Sequence, residues 1–208
     1  MAEKLKIIGS LTSPFVRIVR VVCEELHAPY EVDVVLPFGK MSEEQNRRIN
    51  ENNPLMKVPI LIDKGQNVLD SRVIVTYLLK HYAANKTPDF STEFPKTPQE
   101  DNIVSTIYGI ADSGVLGFMT KNTHPEVNMD HGFMKRSNDR LEHGLAWLDK
   151  QQSLGQDFGV PEALLICVLE WFTKRNICDW QKYPHLESVH SRFQNRPSLV
   201  KTRIPKEL

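Results

Sequence analysis

Over residues 5–82 the apolar spacing switches between two and 3.6 residues in the order β-α-β, then β-β-α, and that order confines the segment to a small α/β unit. A first apolar run, residues 5–8, reads as a buried strand. Residues 16–26 have helical spacing, with Val19, Val22 and Leu26 on one face. Residues 30–36 alternate apolar and charged side chains as a half-buried strand does, and Pro37 and Gly39 end the run. Residues 41–52 are polar and short-helical at best, and Asn52-Asn53-Pro54 signals a turn. A third strand, residues 58–63, opens with a proline, and Lys64-Gly65-Gln66-Asn67 turns the chain into a short fourth strand at 68–69. Asp70-Ser71 then starts a helix whose Val73, Ile74, Tyr77, Leu78 and Tyr82 recur at three- and four-residue spacing.

Residues 83–98 carry three prolines and several Ser and Thr, the composition of a linker. Beyond them every periodicity is helical. Ile103, Ile107, Ile110 and Ala111 form one stripe, and Met134, Ser137, Leu141, Leu145 and Leu148 form another. Residues 161–172 are apolar nearly all round, as the central helix of a bundle would be, and Leu186, Val189, His190 and Phe193 mark a last amphipathic helix. The expected organisation is a first domain at 1–83, a linker at 84–98 and an all-helical domain at 99–208.

Charge and cysteine usage narrow the function. Twenty-six basic residues balance twenty-six acidic ones with no like-charge block, which gives no support to a nucleic-acid or membrane-surface role. Residues 1–6 lack the apolar core and cleavage site of a signal peptide, and the longest apolar run, 163–169, is too short to span a bilayer. Cys23, Cys167 and Cys178 are widely spaced and suit a reducing, cytoplasmic setting, each expected as a small buried hydrophobe. The seven histidines are dispersed, and none has metal-ligand spacing, so no metal is expected.

The chemistry concentrates in Gly9-Ser10-Leu11-Thr12-Ser13-Pro14-Phe15-Val16-Arg17, between the first strand and the first helix. Ser or Thr before Pro opens a helix by capping its free amides. The same helix end, with unpaired N–H groups and a positive dipole terminus, can also hold an anion or lower a thiol pKa. Arg17 is expected either to brace such a site or to be a solvated helix charge.

Three segments make the chain resemble the glutathione transferase superfamily over essentially its full length. Residues Thr12 to Arg17 are similar to the active-site turn of serine-type members. Asn53-Pro54-Leu55-Met56-Lys57-Val58-Pro59 resembles the family's Asn-Pro-x-x-x-Val-Pro segment, and Asp70-Ser71-x-x-Ile74 its acid-Ser-x-x-Ile element. Tyr183-Pro184-His185-Leu186, Arg192-Phe193 and Arg196-Pro197-Ser198 are similar to the end of many short bacterial members. One departure is Gly159-Val160-Pro161-Glu162 where the family has a Ser/Thr-x-x-Asp cap; Glu162 could still reach back to the free amides.

The resemblance implies an α/β thioredoxin-like N-terminal domain and an all-α C-terminal helical bundle. It implies a cytoplasmic detoxification or stress-response enzyme, a homodimer, that activates the glutathione thiol for attack on a small electrophile by conjugation or peroxide reduction. Ser13 would be the catalytic hydroxyl, with Thr12 in reserve. The glutathione-binding residues would be Phe15, Val58 ahead of a cis Pro59, Asp70 and Ser71. Tyr108, Asp112, Phe118 and Met119 would be candidates for an electrophile site on the first helices of the second domain. Two other classes compete: a non-catalytic glutathione-fold binding or regulatory module, and a disulfide reductase. The latter is disfavoured because Ser13 cannot form a mixed disulfide.

Overall fold

The computed structural model describes residues 4–37 and 39–206; the first three residues, on which part of the N-terminal expectation rests, lie outside these, as do Phe38, Glu207 and Leu208. The chain divides into two compact units, Met1–Thr92 with Arg196–Leu208, and Glu93–Asn195.

The first unit is built on a four-stranded mixed sheet in the order β2-β1-β3-β4, formed by β1 (Leu5–Gly9), β2 (Tyr30–Val34), β3 (Ile60–Asp63) and β4 (Gln66–Leu69). β1 runs parallel to β2 and antiparallel to β3, and β3 and β4 form a hairpin. Leu5, Ile7 and Ile8 of β1 are buried, as an inner strand requires. β2 stops at Val34, short of the expected 36, because its partner β1 runs out at Gly9. Val35 then turns inward to join Ile8, Ile49 and Ile60 in one core cluster. β4 begins earlier than expected, because only Lys64 and Gly65 form the loop. Both have positive φ (49° and 77°), the signature of a two-residue hairpin turn.

Three helices accompany the sheet: α1 (Pro14–Glu25), α2 (Glu43–Asn52) and α3 (Ser71–Tyr82). α2 is a full helix where the sequence suggests little. Its start is a capping box in which Ser42 Oγ accepts the Gln45 amide and Gln45 Oε1 accepts the Ser42 amide, both at 3.2 Å. Its one buried residue, Ile49, docks in the core cluster. On α3, Tyr77 and Tyr82 both donate to Asp63 Oδ2, at 2.7 and 2.6 Å, tying the helix to the end of β3.

The helical unit comprises α4 (Pro98–Thr123), α5 (Gly132–Leu148), α6 (Val160–Arg175) and α7 (Pro184–Phe193). α6 is buried from Val160 to Leu169 and again at Trp171 and Phe172, so it is the central helix the sequence predicts. Its N-terminus is closed by Glu162, which accepts the Gly159 amide at 3.0 Å and the Gly155 amide at 2.9 Å. By length and hydropathy alone α4 would suffice to cross a membrane. In the structure its buried Ile103, Val104, Ile107 and Ile110 face the bundle interior, packed on α5 and α6. The two helices α4 and α5 approach so closely at Gly144 that a Cβ there would sit 2.3 Å from Ile110 Cγ2.

The last helix, α8 (Pro197–Lys201), belongs by packing to the first unit, whereas the sequence assigns residues 99–208 to the helical one. The reason is polar: Arg196 and Ser198 both reach the Glu25 carboxylate on α1.

Candidate functional site

Strand register gathers three of the motif segments at one edge of the sheet. Ile8 of β1 pairs with Ile60 of β3, and Ile60 pairs with Leu69 of β4. One step beyond this row lie Gly9-Ser10 leaving β1, Pro59 entering β3 and Asp70 leaving β4. Adjacent strands are about 4.8 Å apart, so the outer two segments are separated by roughly 10 Å at this edge. Two helices, α1 and α3, start there.

Ser13 is the N-cap of α1, its Oγ accepting the Val16 amide at 3.3 Å. A hydroxyl that accepts still has its own proton to give. Thr12 Oγ1 is instead engaged with Ser10 Oγ at 3.0 Å. Ser13 is half-buried, and its amide donates to Ser10 O at 3.0 Å, which closes the turn. Gly9 is required by this geometry: a Cβ there would stand 2.5 Å from Val16 Cγ2, so the strand can pass α1 closely only without a side chain. Phe15 is half-buried in the first turn of α1.

Val58-Pro59 is a cis peptide. The ladder to β1 begins at Ile60, which leaves Val58 outside it, and the Val58 side chain packs against the core cluster. Asn53, which opens the Asn-Pro-x-x-x-Val-Pro segment and to which the sequence assigned a turn but no site role, is buried and organises this approach. Its Oδ1 accepts the Leu55 amide at 2.9 Å and its Nδ2 donates to Lys57 O at 2.7 Å.

Asp70 caps α3, with Oδ1 accepting the Arg72 amide at 2.9 Å. It is exposed and has φ 71°, ψ 132°, a conformation L-residues rarely adopt and one that concentrates at ligand sites. Ser71 beside it is buried.

Arg17 is no solvated charge: it is fully buried, and its Nη2 donates to Leu199 O at 3.2 Å. Helical spacing could not reveal this, because the covering segment lies 182 residues away. Cys23 on the same helix is buried, and burial, reinforced by Glu24, pushes its thiol above the ordinary range, so α1 offers no thiolate of its own. In the helical unit Tyr108 and Met119 are half-buried and Asp112 is exposed. Phe118 is engaged by Trp171, 5.7 Å away edge-on, and by Arg175 over its ring at 5.1 Å. Among the described residues no group of three or more His, Cys, Asp and Glu could hold a metal ion.

Comparison with known proteins bears on this edge directly. The family model for the glutathione S-transferase N-terminal domain matches residues 7–86, a span containing Ser13, Val58-Pro59 and Asp70-Ser71. The uncharacterized GST-like protein YibF of Escherichia coli K12 is 24% identical over 97% of this chain and 100% of its own length. A Methylobacillus flagellatus glutathione S-transferase with glutathione bound is 25% identical, covers 97% of this chain and 100% of its own, and superposes with a TM-score of 0.79. A Pseudomonas fluorescens family member with bound glutathione is 25% identical over 97% and 100% of the two chains, with a TM-score of 0.77. A Methylobacterium radiotolerans glutathione S-transferase in complex with glutathione sulfonate, 22% identical over 98% and 95%, shares the fold with a TM-score of 0.81. With a thioredoxin-like first unit and a helical second unit, the chain has the fold of the glutathione S-transferase structures, and its residues 7–86 match that family's N-terminal domain.

Proposed function

We propose that the protein binds glutathione along this sheet edge and activates its thiol for attack on a small electrophile. The observation that carries the reading is the pairing of a half-buried hydroxyl at one helix N-terminus with an acid-serine pair at another, roughly 10 Å apart. An extended tripeptide spans about that length. Two solved relatives 25% identical to this chain hold glutathione, which supports the choice of ligand.

In this reading the Ser13 hydroxyl donates to the thiolate sulfur while its oxygen continues to cap α1. The backbone of Val58, free of the sheet ladder, pairs with the cysteinyl peptide. Ser71 binds the γ-glutamyl carboxylate at the α3 terminus, Asp70 takes the ligand's ammonium group, and Phe15 lines the sulfur end. A free thiol has a pKa of roughly 8.5, and lowering it by about two units requires about 2.7 kcal/mol of preferential thiolate stabilisation. A charge-assisted hydrogen bond together with a helix dipole is of that size. No general base is needed; the protein stabilises an anion and places the electrophile.

The test is Ser13→Ala. Turnover with glutathione and a panel of electrophiles should fall on the order of 10²–10³-fold. The pH midpoint of thiolate absorbance in the binary complex should move up toward the free value. An unchanged titration would remove Ser13 from the role, and binding of glutathione without turnover by the wild type would point to a non-catalytic module.

A further inference from the structure

A stripe of polar side chains runs along α1 from Arg17 to Glu25, and the C-terminal segment bonds to each of them. Arg17 Nη2 donates to Leu199 O at 3.2 Å, and Arg20 Nη1 to Thr202 O at 3.3 Å. Lys201 Nζ lies 2.8 Å from Glu24 Oε2. At the helix end, Arg196 grips the Glu25 carboxylate with two bonds, Nε at 2.7 Å and Nη2 at 2.9 Å, and Ser198 Oγ donates to the same carboxylate. Glu25 is 2% exposed and Arg17 is not exposed at all. Leu199 and Thr202 lie at the C-terminal end of α8, where carbonyls lack helical partners. The two arginines of α1 supply the donors.

Taking a guanidinium fully out of water costs several kcal/mol before any pairing is counted, and an apolar side chain would fill the space with less penalty. What the polar stripe adds is direction. Apolar burial is non-directional. Hydrogen bonds at residues 17, 20 and 24–25 oppose both sliding along and rotation about the helix axis. The stripe also begins at the working end, since the Arg17 amide donates to Ser13 O at 3.0 Å.

We propose that residues 196–202, acting through Arg17 and Glu25, position α1 and so set the aim of the Ser13 hydroxyl at glutathione sulfur. This rests on the assignment of Ser13 as thiolate donor. A charge-assisted hydrogen bond weakens steeply with misalignment, and a site of this kind needs its donor held to about 0.5 Å. Arg17 and Arg196 are therefore positioning residues that touch no substrate.

The experiment compares Arg17→Met, Arg17→Lys, Arg196→Gln and Ser13→Ala in the full chain, with glutathione as the probe. The readouts are the pH midpoint of thiolate absorbance in the binary complex and the thermal midpoint of the free protein. Arg17→Met and Arg196→Gln should raise the bound thiol's pKa by about half a unit to one unit, which is about three- to tenfold less thiolate at a pH below it. Arg17→Lys should recover part of that shift. If Arg17→Met fails to fold, Arg196→Gln, at the rim of the segment and outside α1, gives the same reading. A lowered thermal midpoint with an unchanged titration in the folded variants would overturn the positioning role and leave the thiolate assignment standing. An unchanged titration in Ser13→Ala would overturn that assignment, and the positioning role with it.

Discussion

Glu162 closes its own helix, its Oε2 accepting the Gly159 amide at 3.0 Å while Oε1 accepts that of Gly155. The side chain is buried, and burial pushes its carboxyl above the usual range, with the two amides pulling partly back. Because glycine has no capping side chain at position 159, Glu162 carries the α6 start alone. Glu162→Ala would leave two amides unpaired in the interior at about 1–3 kcal/mol each, and chemical denaturation should register the sum. A group whose folded pKa is raised contributes stability that is fully present below its ordinary value, about 4.3, and lost as pH rises through the folded value. The stability gap between wild type and Glu162→Gln should therefore widen as pH falls from neutral toward 4.

Asp63 has the opposite sign. Burial alone would raise its carboxyl, but the hydroxyls of Tyr82 and Tyr77, aided by Lys64, hold it below the usual aspartate range. Its contribution is present above the ordinary value and lost as pH falls through the depressed one. Asp63→Asn keeps a neutral acceptor for both tyrosines and loses the charge, so it should cost about 1–3 kcal/mol at pH 7. Denaturation at pH 3 should show that difference shrinking, and a gap that stays constant with pH would contradict the charge-assisted account.

These two carboxylates mark what could and could not be read from the chain. The Glu162 bond is local, three residues from its partner, and the sequence pattern exposed it. The Asp63 bonds span 14 and 19 residues across a hairpin and a helix. Periodicity places Tyr77 and Tyr82 on the inward face of α3 but does not say which acid waits there. The same division separates Ser13 from Arg17. Strand, turn and helix signals locate Ser13 at a helix start, whereas helical spacing leaves Arg17 open between a brace and a solvated charge, because its cover arrives nearly at the end of the chain. The start of α2 is legible in the sequence, since Ser42 and Gln45 stand at capping-box spacing. Strand ends are set by pairing rather than by periodicity: β2 stops where β1 no longer offers a partner, and β3 starts after a proline.

Asp70→Asn separates capping from ligand binding. Asparagine keeps an oxygen for the Arg72 amide and tolerates positive φ better than most residues, so the thermal midpoint should hold. In the proposed binding mode, the charge that would face the ligand's ammonium group is lost. An ionic hydrogen bond of about 1.5–3 kcal/mol corresponds to roughly a ten- to hundredfold rise in KM for glutathione. The kcat should be nearly unchanged, since this contact lies at the far end from sulfur. A fall in kcat at constant KM would place Asp70 in the chemical step instead.

Ser13→Cys asks whether the α1 terminus activates sulfur whatever carries it. A thiol at a helix N-terminus has a pKa well below the free value. Its thiolate would attack oxidised glutathione, forming a protein–glutathione disulfide and releasing one glutathione thiolate. The variant should accumulate that adduct, gain thiol-exchange activity and lose the proposed conjugating activity, since a second anionic sulfur would repel the bound thiolate that the hydroxyl would have stabilised. The wild type should stay unmodified. Burial pushes the Cys23 thiol far up, and burial with Glu142 nearby pushes Cys178 up to about 12, while Cys167 is enclosed in α6. Intact-mass analysis after incubation with oxidised glutathione reads both proteins together. An adduct on the wild type would show one of the three native thiols to be reactive and would bring disulfide exchange back as an activity of this fold, while an unmodified Ser13→Cys protein would mean that the α1 terminus does not favour thiolate at all.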